Sequence, residues 1–280
     1  MRLVNAAGRL GLLTERGVVD VASASGGRFS ADPQGVYGRW AEFTAWAAEL
    51  PQSDVTPLDD QSLGSPCPRP RQVFAIGLNY VDHAEEAGLP TSATSMVVFT
   101  KFPTSITGPV GDIELPAGSV DFETELVVVI GKPAHKVGVE GAWGHVAGLT
   151  LGQDLSEREL QLRPPNPQFS LGKSFPGFGP TGPVLATIDE FADPDDVEIS
   201  CLLNGEQMQR GRTSNMIFSV PRIIAELSAT LPLLPGDVIF TGTPAGIGWA
   251  RDPRVLLRPG DVLTTTADVI GTMNHRFVPA

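Results

Sequence analysis

Val120-Asp121-Phe122-Glu123-Thr124-Glu125-Leu126-Val127-Val128-Val129-Ile130-Gly131 holds the most apolar strand-like run of the chain, with two glutamates at its mouth. Side chains at i and i+2 of a β-strand share a face. Glu123 and Glu125 therefore project side by side, next to residues that must be buried. Two adjacent anions at the edge of a core repel each other unless a cation lies between them. A hard divalent ion is the simplest candidate, because Mg2+, Mn2+ and Ca2+ take carboxylate oxygens as ligands. A Glu-x-Glu pair is also common on exposed strands. The uninterrupted apolar positions 126–130 set this one apart.

A third carboxylate strengthens the reading. Asp154 follows a second apolar strand, 147–151, in Gly152-Gln153-Asp154. A carboxylate just past a buried strand stands where an open site collects a ligand. Three carboxylates around one divalent ion leave positions for water and a bidentate substrate.

The rest of the composition bounds the problem. With 280 residues, 41% hydrophobic and 19% charged, the chain has a soluble globular profile, enough for one large domain or a large one with an appendage. No apolar run approaches the roughly 20 residues of a membrane-spanning helix, and Met1-Arg2-Leu3-Val4-Asn5 does not open a signal-peptide core. Cys67 and Cys201 are too few for a disulfide framework and lack zinc-site spacing. A cytoplasmic setting is the expectation. A formal net charge of -12 argues against nucleic acid, which selects basic patches.

Frequent glycine (31) and proline (25) predict a β-rich fold with many turns. Residues 2–22 read as a small meander. Residues 37–50 read as an amphipathic helix with Trp40, Phe43, Trp46 and Ala47 as its core stripe, ended by Pro51. The Pro-, Asp- and Ser-rich stretch 51–71 reads as a linker. The expected division is a small N-terminal α+β domain with linker at 1–65 and a catalytic domain at 66–280. Further strands are expected at 73–77 and 96–100, a helical turn through Gln161, and a helix at 220–231. Leu234-Pro235-Gly236-Asp237-Val238-Ile239 and Arg258-Pro259-Gly260-Asp261-Val262-Leu263 echo each other, each a turn feeding a strand.

Other residues invite chemistry. If 79–88 holds a short helix, Glu86 at i+3 reaches His83 and fixes its tautomer for general-base work near neutral pH. The plainer alternative is a surface helix whose His–Glu pair contributes little. Gly77 and Gly88 could let the segment open and close. His135, His145 and His275 read as structural. Lys173, in Leu171-Gly172-Lys173-Ser174-Phe175, can clamp a carboxylate or stabilise an enolate oxygen, or simply be solvated; Lys101 shares that ambiguity. The small residues of 240–248 let backbone amides and Thr243 approach an anion, without the lysine of a phosphate loop.

Taken together these segments resemble the fumarylacetoacetate hydrolase family. The motifs run in order as Ile76-Gly77-Leu78-Asn79-Tyr80 with His83, Lys101 with Gly108-Pro109, Asp121-x-Glu123-x-Glu125-Leu126, and Gly152-x-Asp154-x-Ser156. Lys173-Ser174-Phe175, Asn204-Gly205-Glu206, Pro235-Gly236-Asp237-Val238-Ile239-x-Thr241-Gly242-Thr243-Pro244, and Gly271-Thr272 with Asn274 follow. The N-terminal segment resembles the small domain of shorter bacterial members. The resemblance implies a β-rich α+β fold with a mixed β-roll catalytic domain, a homodimer, and Mg2+ or Mn2+ as cofactor. It implies Glu123, Glu125 and Asp154 as metal ligands, His83 with Glu86 as the water-activating dyad, and Gln161, Lys173 and Thr243 as substrate contacts. Gln153, Glu157, Glu159 and Pro176 depart from the common pattern and bear on substrate identity.

The leading expectation is metal-dependent hydrolysis of a C–C bond in an acylpyruvate or β-diketo acid, with Lys173 stabilising the enolate and His83 activating water. The rival is decarboxylation or isomerisation of a 2-oxo diacid such as oxaloacetate or a homoprotocatechuate-pathway intermediate. A remoter one is a non-catalytic protein that senses a 2-oxo acid.

Overall fold

The structure is a computed structural model and describes residues 1–50, 54–88 and 95–280. Thr124–Ile130 lies in the middle of an eleven-stranded sheet, between Val146–Gln153 and Val238–Phe240, both antiparallel to it. Every one of its side chains is buried. The alternation of the strand divides them between two cores. Leu126, Val128 and Ile130 pack in a cluster with Ile223, Ile224 and Leu227 of the helix Val220–Thr230. Val127 and Val129 pack with Trp40 and Phe43 of the helix Trp40–Ala48. Both faces of the sheet are covered, which explains a run with no polar break. Each such side chain contributes roughly 1.5–3 kcal/mol relative to an exposed one.

From this centre the sheet runs one way through Val238–Phe240 and Val73–Gly77 to the edge strand Val97–Thr100. The other way it runs through Val146–Gln153 and Gly179–Ala186 to the N-terminal meander Arg2–Ala6, Arg9–Thr14 and Gly17–Asp20. The meander is thus continuous with the large sheet, through Arg2 opposite Ala186 and Leu3 opposite Leu185. A five-stranded sheet, ordered Glu206–Arg212, Glu198–Leu203, Val262–Ala267, Gly271–Pro279 and Val110–Leu115, completes a mixed, β-rich α+β fold.

Several expectations shift in detail. Residues 37–39 belong to a 3-10 turn, Pro33–Arg39, and the α-helix starts at Trp40. Gly35 and Gly38 in that turn disfavour the regular helix. The helix ends at Ala48, and Pro51 lies outside the described residues. The stretch read as linker carries a 3-10 turn, Asp60–Ser62, and a short strand, Leu63–Gly64, paired with Asn5 and Ala6. The two echoing turns use one device: Asp237 accepts from Leu234 N, and Asp261 from Arg258 N, both at 2.7 Å. Each turn has its glycine, Gly236 or Gly260, at positive φ. Among the described residues no helix is long and apolar enough to cross a membrane.

Candidate metal centre and active site

Sheet register assembles the acidic site. Thr124 pairs with Gln153 and Glu125 with Gly152, so the continuing ladder sets Asp154 opposite Glu123, joined by Asp154 N to Glu123 O at 2.9 Å. Positions 123, 125, 152 and 154 then share the face of Val127. Gly152 has to be glycine, since a Cβ there would lie 2.6 Å from Val127 and 2.7 Å from Phe240. Glu123, Glu125 and Asp154 are buried and each offers a ligand oxygen, all within 4.8 Å of one another.

Three buried cations surround this cluster. Lys173 Nζ reaches Glu123 Oε2 at 2.9 Å and Asp154 Oδ2 at 2.6 Å. Lys101 Nζ reaches Asp154 Oδ1 at 2.6 Å and also donates to the Lys173 carbonyl. Arg158 joins Asp121 at 2.5 Å, Glu123 at 2.7 Å and Gln161 Oε1 at 2.9 Å. With Asp121 included, four buried carboxylates face three buried cations. One negative charge is in excess when all are ionised.

That excess falls on Glu125. Among the described residues it forms no ion pair; its Oε2 accepts only the Gly242 N–H, at 2.7 Å. Burial, then repulsion from Asp154 and Glu123, pushes its carboxyl well above the usual range. Glu123 goes the other way: burial opposes ionisation, but Lys173 and Arg158 outweigh it and lower its pKa. Burial likewise opposes the charge on both lysines. It prevails at Lys101, which has one carboxylate, and loses at Lys173, which has two. A buried carboxylate without a cation, beside two others, is a donor set that fits a hard divalent ion.

His83 lies on the short helix Val81–Glu86. The chain enters that helix through Leu78, in the left-handed region at φ 55, and through buried Asn79. The Asn79 amide pins the turn by donating to the Phe218 and Thr241 carbonyls and accepting from Phe218 N. His83 Nδ1 is 3.0 Å from Glu86 Oε2, and Glu86 Oε1 accepts from Gly246 N at 3.0 Å. A carboxylate at Nδ1 keeps the proton there and leaves Nε2 as the basic nitrogen.

These groups converge on a cavity of about 200 Å³ lined by His83, Glu123, Glu125, Arg158, Gln161, Lys173 and Thr243. Phe99, Leu162, Phe169, Ile247 and Trp249 line it too, with Ile76, Gly77, Leu78 and Ala87. A larger groove of about 390 Å³, beside Met1, Trp40 and Trp143, holds none of the predicted site residues.

The sequence-predicted residues therefore come together, with two qualifications. The Thr243 hydroxyl is committed, donating to Thr124 O at 2.9 Å and accepting from Gln209 Nε2 at 2.7 Å. The Gln161 carbonyl oxygen is held by Arg158. Lys173 follows the helical turn Phe169–Gly172 and is 2% exposed, which removes the solvated alternative. Lys101 is settled the same way, at 1%.

Sequence reasoning left Asp121, Arg158 and Gln209 without roles. Asp121 accepts from Arg158 and from Gly248 and Trp249 N–H, so it ties the 240–249 loop to the site. Carboxylates at 121, 123 and 125, spaced by two, were the available signal for a fixed buried cation. The departures have structural roles as well. Gln153 links Glu123 N, Thr124 Oγ1 and Thr265 Oγ1 across the two sheets, and Glu157 caps the turn Arg158–Gln161.

The profile described as fumarylacetoacetate (FAA) hydrolase C-terminal matches residues 72–278. The mitochondrial oxaloacetate tautomerase FAHD2A of Homo sapiens is 41% identical over 236 residues, 84% of this chain and 74% of that protein. A Mycobacterium smegmatis structure solved under the name HpcE superposes with a TM-score of 0.94 at 53% identity over 100% of both chains. Fumarylacetoacetate hydrolase from Exiguobacterium antarcticum gives 0.83 at 34% identity, covering 97% of this chain and 95% of its own. The chain belongs to the fumarylacetoacetate hydrolase family.

Proposed function

We propose that this chain moves a proton between the carbon beside the keto group of a 2-oxo acid and an oxygen, an enol–keto tautomerisation or isomerisation. Glu123, Glu125 and Asp154 would hold Mg2+ or Mn2+. The observation that carries the reading is the shared cavity, which gathers the carboxylate-held His83 with Glu123, Glu125 and Lys173. A bound divalent ion supplies Lewis-acid polarisation of the substrate's carboxylate and 2-oxo oxygens. Lys173 spends two of its three N–H donors on Glu123 and Asp154, leaving one for an oxygen that gains charge. In the keto-to-enol direction His83 Nε2 accepts the proton from the carbon, and Glu86 supports the resulting imidazolium. The proton is then delivered to the oxygen, restoring neutral His83.

A cavity of about 200 Å³ is below the roughly 300–1,000 Å³ of drug-sized sites and suits a small acid. The 41% identity to a protein named as an oxaloacetate tautomerase supports proton transfer as the first reading. C–C hydrolysis is the second, favoured by the same His83–Glu86 pair, which can equally deprotonate water. The deciding experiment follows the enol absorbance of oxaloacetate, and in parallel the cleavage of an acylpyruvate, with Mg2+, Mn2+ or EDTA. Metal-dependent decay of the enol above the buffer rate is expected. Acylpyruvate cleavage as the sole activity would replace the first reading by the second, and undiminished activity in EDTA would remove the metal from either.

A further inference from the structure

Beside its charged groups the cavity is lined by the large apolar side chains Phe99, Leu162, Phe169, Ile247 and Trp249, with Ile76, Gly77, Leu78 and Ala87. Phe99 borders the charged cluster, its ring centroid 5.0 Å from Lys173 Nζ. Phe99 and Phe169 meet edge to face, with centroids 5.4 Å apart, and Ile247 is buried. Only two lysine or arginine side chains line the cavity among the described residues, and both are ion-paired, with a single Lys173 donor left for the head-group oxygen. Lys173 is held by Glu123 and Asp154, and Arg158 by Asp121, Glu123 and Gln161. Arg254 stacks on Trp249, 3.6 Å from the ring centroid, but does not line the cavity.

We propose that the substrate's tail, beyond the fourth carbon of a 2-oxo acid, is neutral and apolar, and that the Phe99–Phe169–Trp249 wall with Leu162 and Ile247 selects it. This rests on the 2-oxo acid reading of the site. With the acid head group drawn to the carboxylate cluster and Lys173, the remainder of a longer chain meets hydrocarbon and aromatic faces. A methylene or methyl group there leaves water favourably. A terminal carboxylate there would lose part of its hydration with no unpaired lysine or arginine lining the cavity to receive it. A second carboxylate at carbon four, as in oxaloacetate, is too close to the head group to reach these residues and is not discriminated by them.

The test uses two probes of equal length that differ only at the far end, 2-oxohexanoate with a methyl and 2-oxoadipate with a carboxylate. Oxalate serves as a head group without a tail. Calorimetric titration of the full chain with Mg2+ present is expected to show 2-oxohexanoate binding on the order of 10-fold or more tighter than 2-oxoadipate. Leu162→Arg sets a cation on the wall, and should move the ratio of the two affinities toward 2-oxoadipate by about 10-fold. Oxalate binding combined with equal or tighter binding of 2-oxoadipate to the unaltered protein overturns the tail assignment alone. An unmoved ratio in the Leu162→Arg protein overturns the role of the wall. Failure of oxalate and both 2-oxo acids to bind overturns the 2-oxo acid reading itself.

Discussion

Asp154 lies across the strand ladder from Glu123, its backbone N–H 2.9 Å from the Glu123 carbonyl oxygen, and Lys173 Nζ touches both of their carboxylates. The same antiparallel pairing that buries 126–130 therefore also sets the acidic cluster. Core and site are built by one register, and a slip of one residue would turn these carboxylates to the opposite face.

Glu125→Gln isolates the unpaired charge. The amide oxygen can still accept the Gly242 N–H, while the repulsion from Asp154 and Glu123 disappears. A carboxyl whose folded-state pKa is raised binds protons more tightly folded than unfolded, so stability falls as pH rises from its ordinary 4.5 toward the folded value. In EDTA, the variant's melting temperature should therefore gain on the parent protein as pH rises. Mn2+ should raise the parent's melting temperature, by an amount equivalent to about 2.7 kcal/mol at 100 times Kd, and leave the variant nearly unmoved. An equal Mn2+ effect on both proteins would remove Glu125 from the ligand set.

The acidic triad was legible because strand alternation is a two-residue rule, and both strands end on apolar runs whose burial is unambiguous. The His83–Glu86 contact was legible for the same local reason, three residues apart on one helix. Lys101, Asp121 and Arg158 were not. Lys101 meets Asp154 across 53 residues and Arg158 meets Asp121 across 37, through strand pairings that no local pattern encodes. The meander's attachment to Gly179–Ala186 is equally non-local. Spacing rules read neighbours on one element, and this site's cations are supplied by others.

His83→Gln should lower kcat by about 10²–10⁴-fold, the usual span for a general base. It should leave the Mn2+-induced rise in melting temperature intact, since the carboxylate triad is untouched. Glu86→Gln should fall between the two proteins in kcat. It supplies one acceptor where Glu86 supplies two, to His83 Nδ1 and to Gly246 N. Steady-state rates on oxaloacetate enol, with thermal shifts on the same samples, check both. Parent-like turnover by His83→Gln would end the assignment of a base to this helix.

Lys101→Met tests whether the buried lysines stand against the carboxylates as fixed countercharges. Met fills a similar volume but leaves Asp154 Oδ1 and the Lys173 carbonyl without their donor. Breaking one partner of a buried pair costs about 3–5 kcal/mol, a large part of the roughly 5–15 kcal/mol that holds a domain folded. Urea midpoints in EDTA should drop accordingly, and Mn2+ should recover more stability in this variant than in the parent, because the cluster has become more anionic. A midpoint within error of the parent in EDTA would mean that Asp154 is not held as an anion by Lys101.

His275 offers a pH effect that is separate from the metal cluster. It lies on Gly271–Pro279, its Nε2 donates to Gly108 O at 3.0 Å, and its Nδ1 is buried without a partner among the described residues. Burial pushes its pKa down to about 4 from 6.5. Between these values the unfolded chain binds the proton and the folded protein does not, so stability rises with pH across the window. Going from pH 7 to pH 5 should cost about 2 kcal/mol from this group alone. His275→Gln has an amide donor for the Gly108 carbonyl but no titrating nitrogen. Its urea-denaturation stability should fall by about 2 kcal/mol less than the parent's over that pH range. Identical losses in both proteins would show that burial does not depress the His275 pKa.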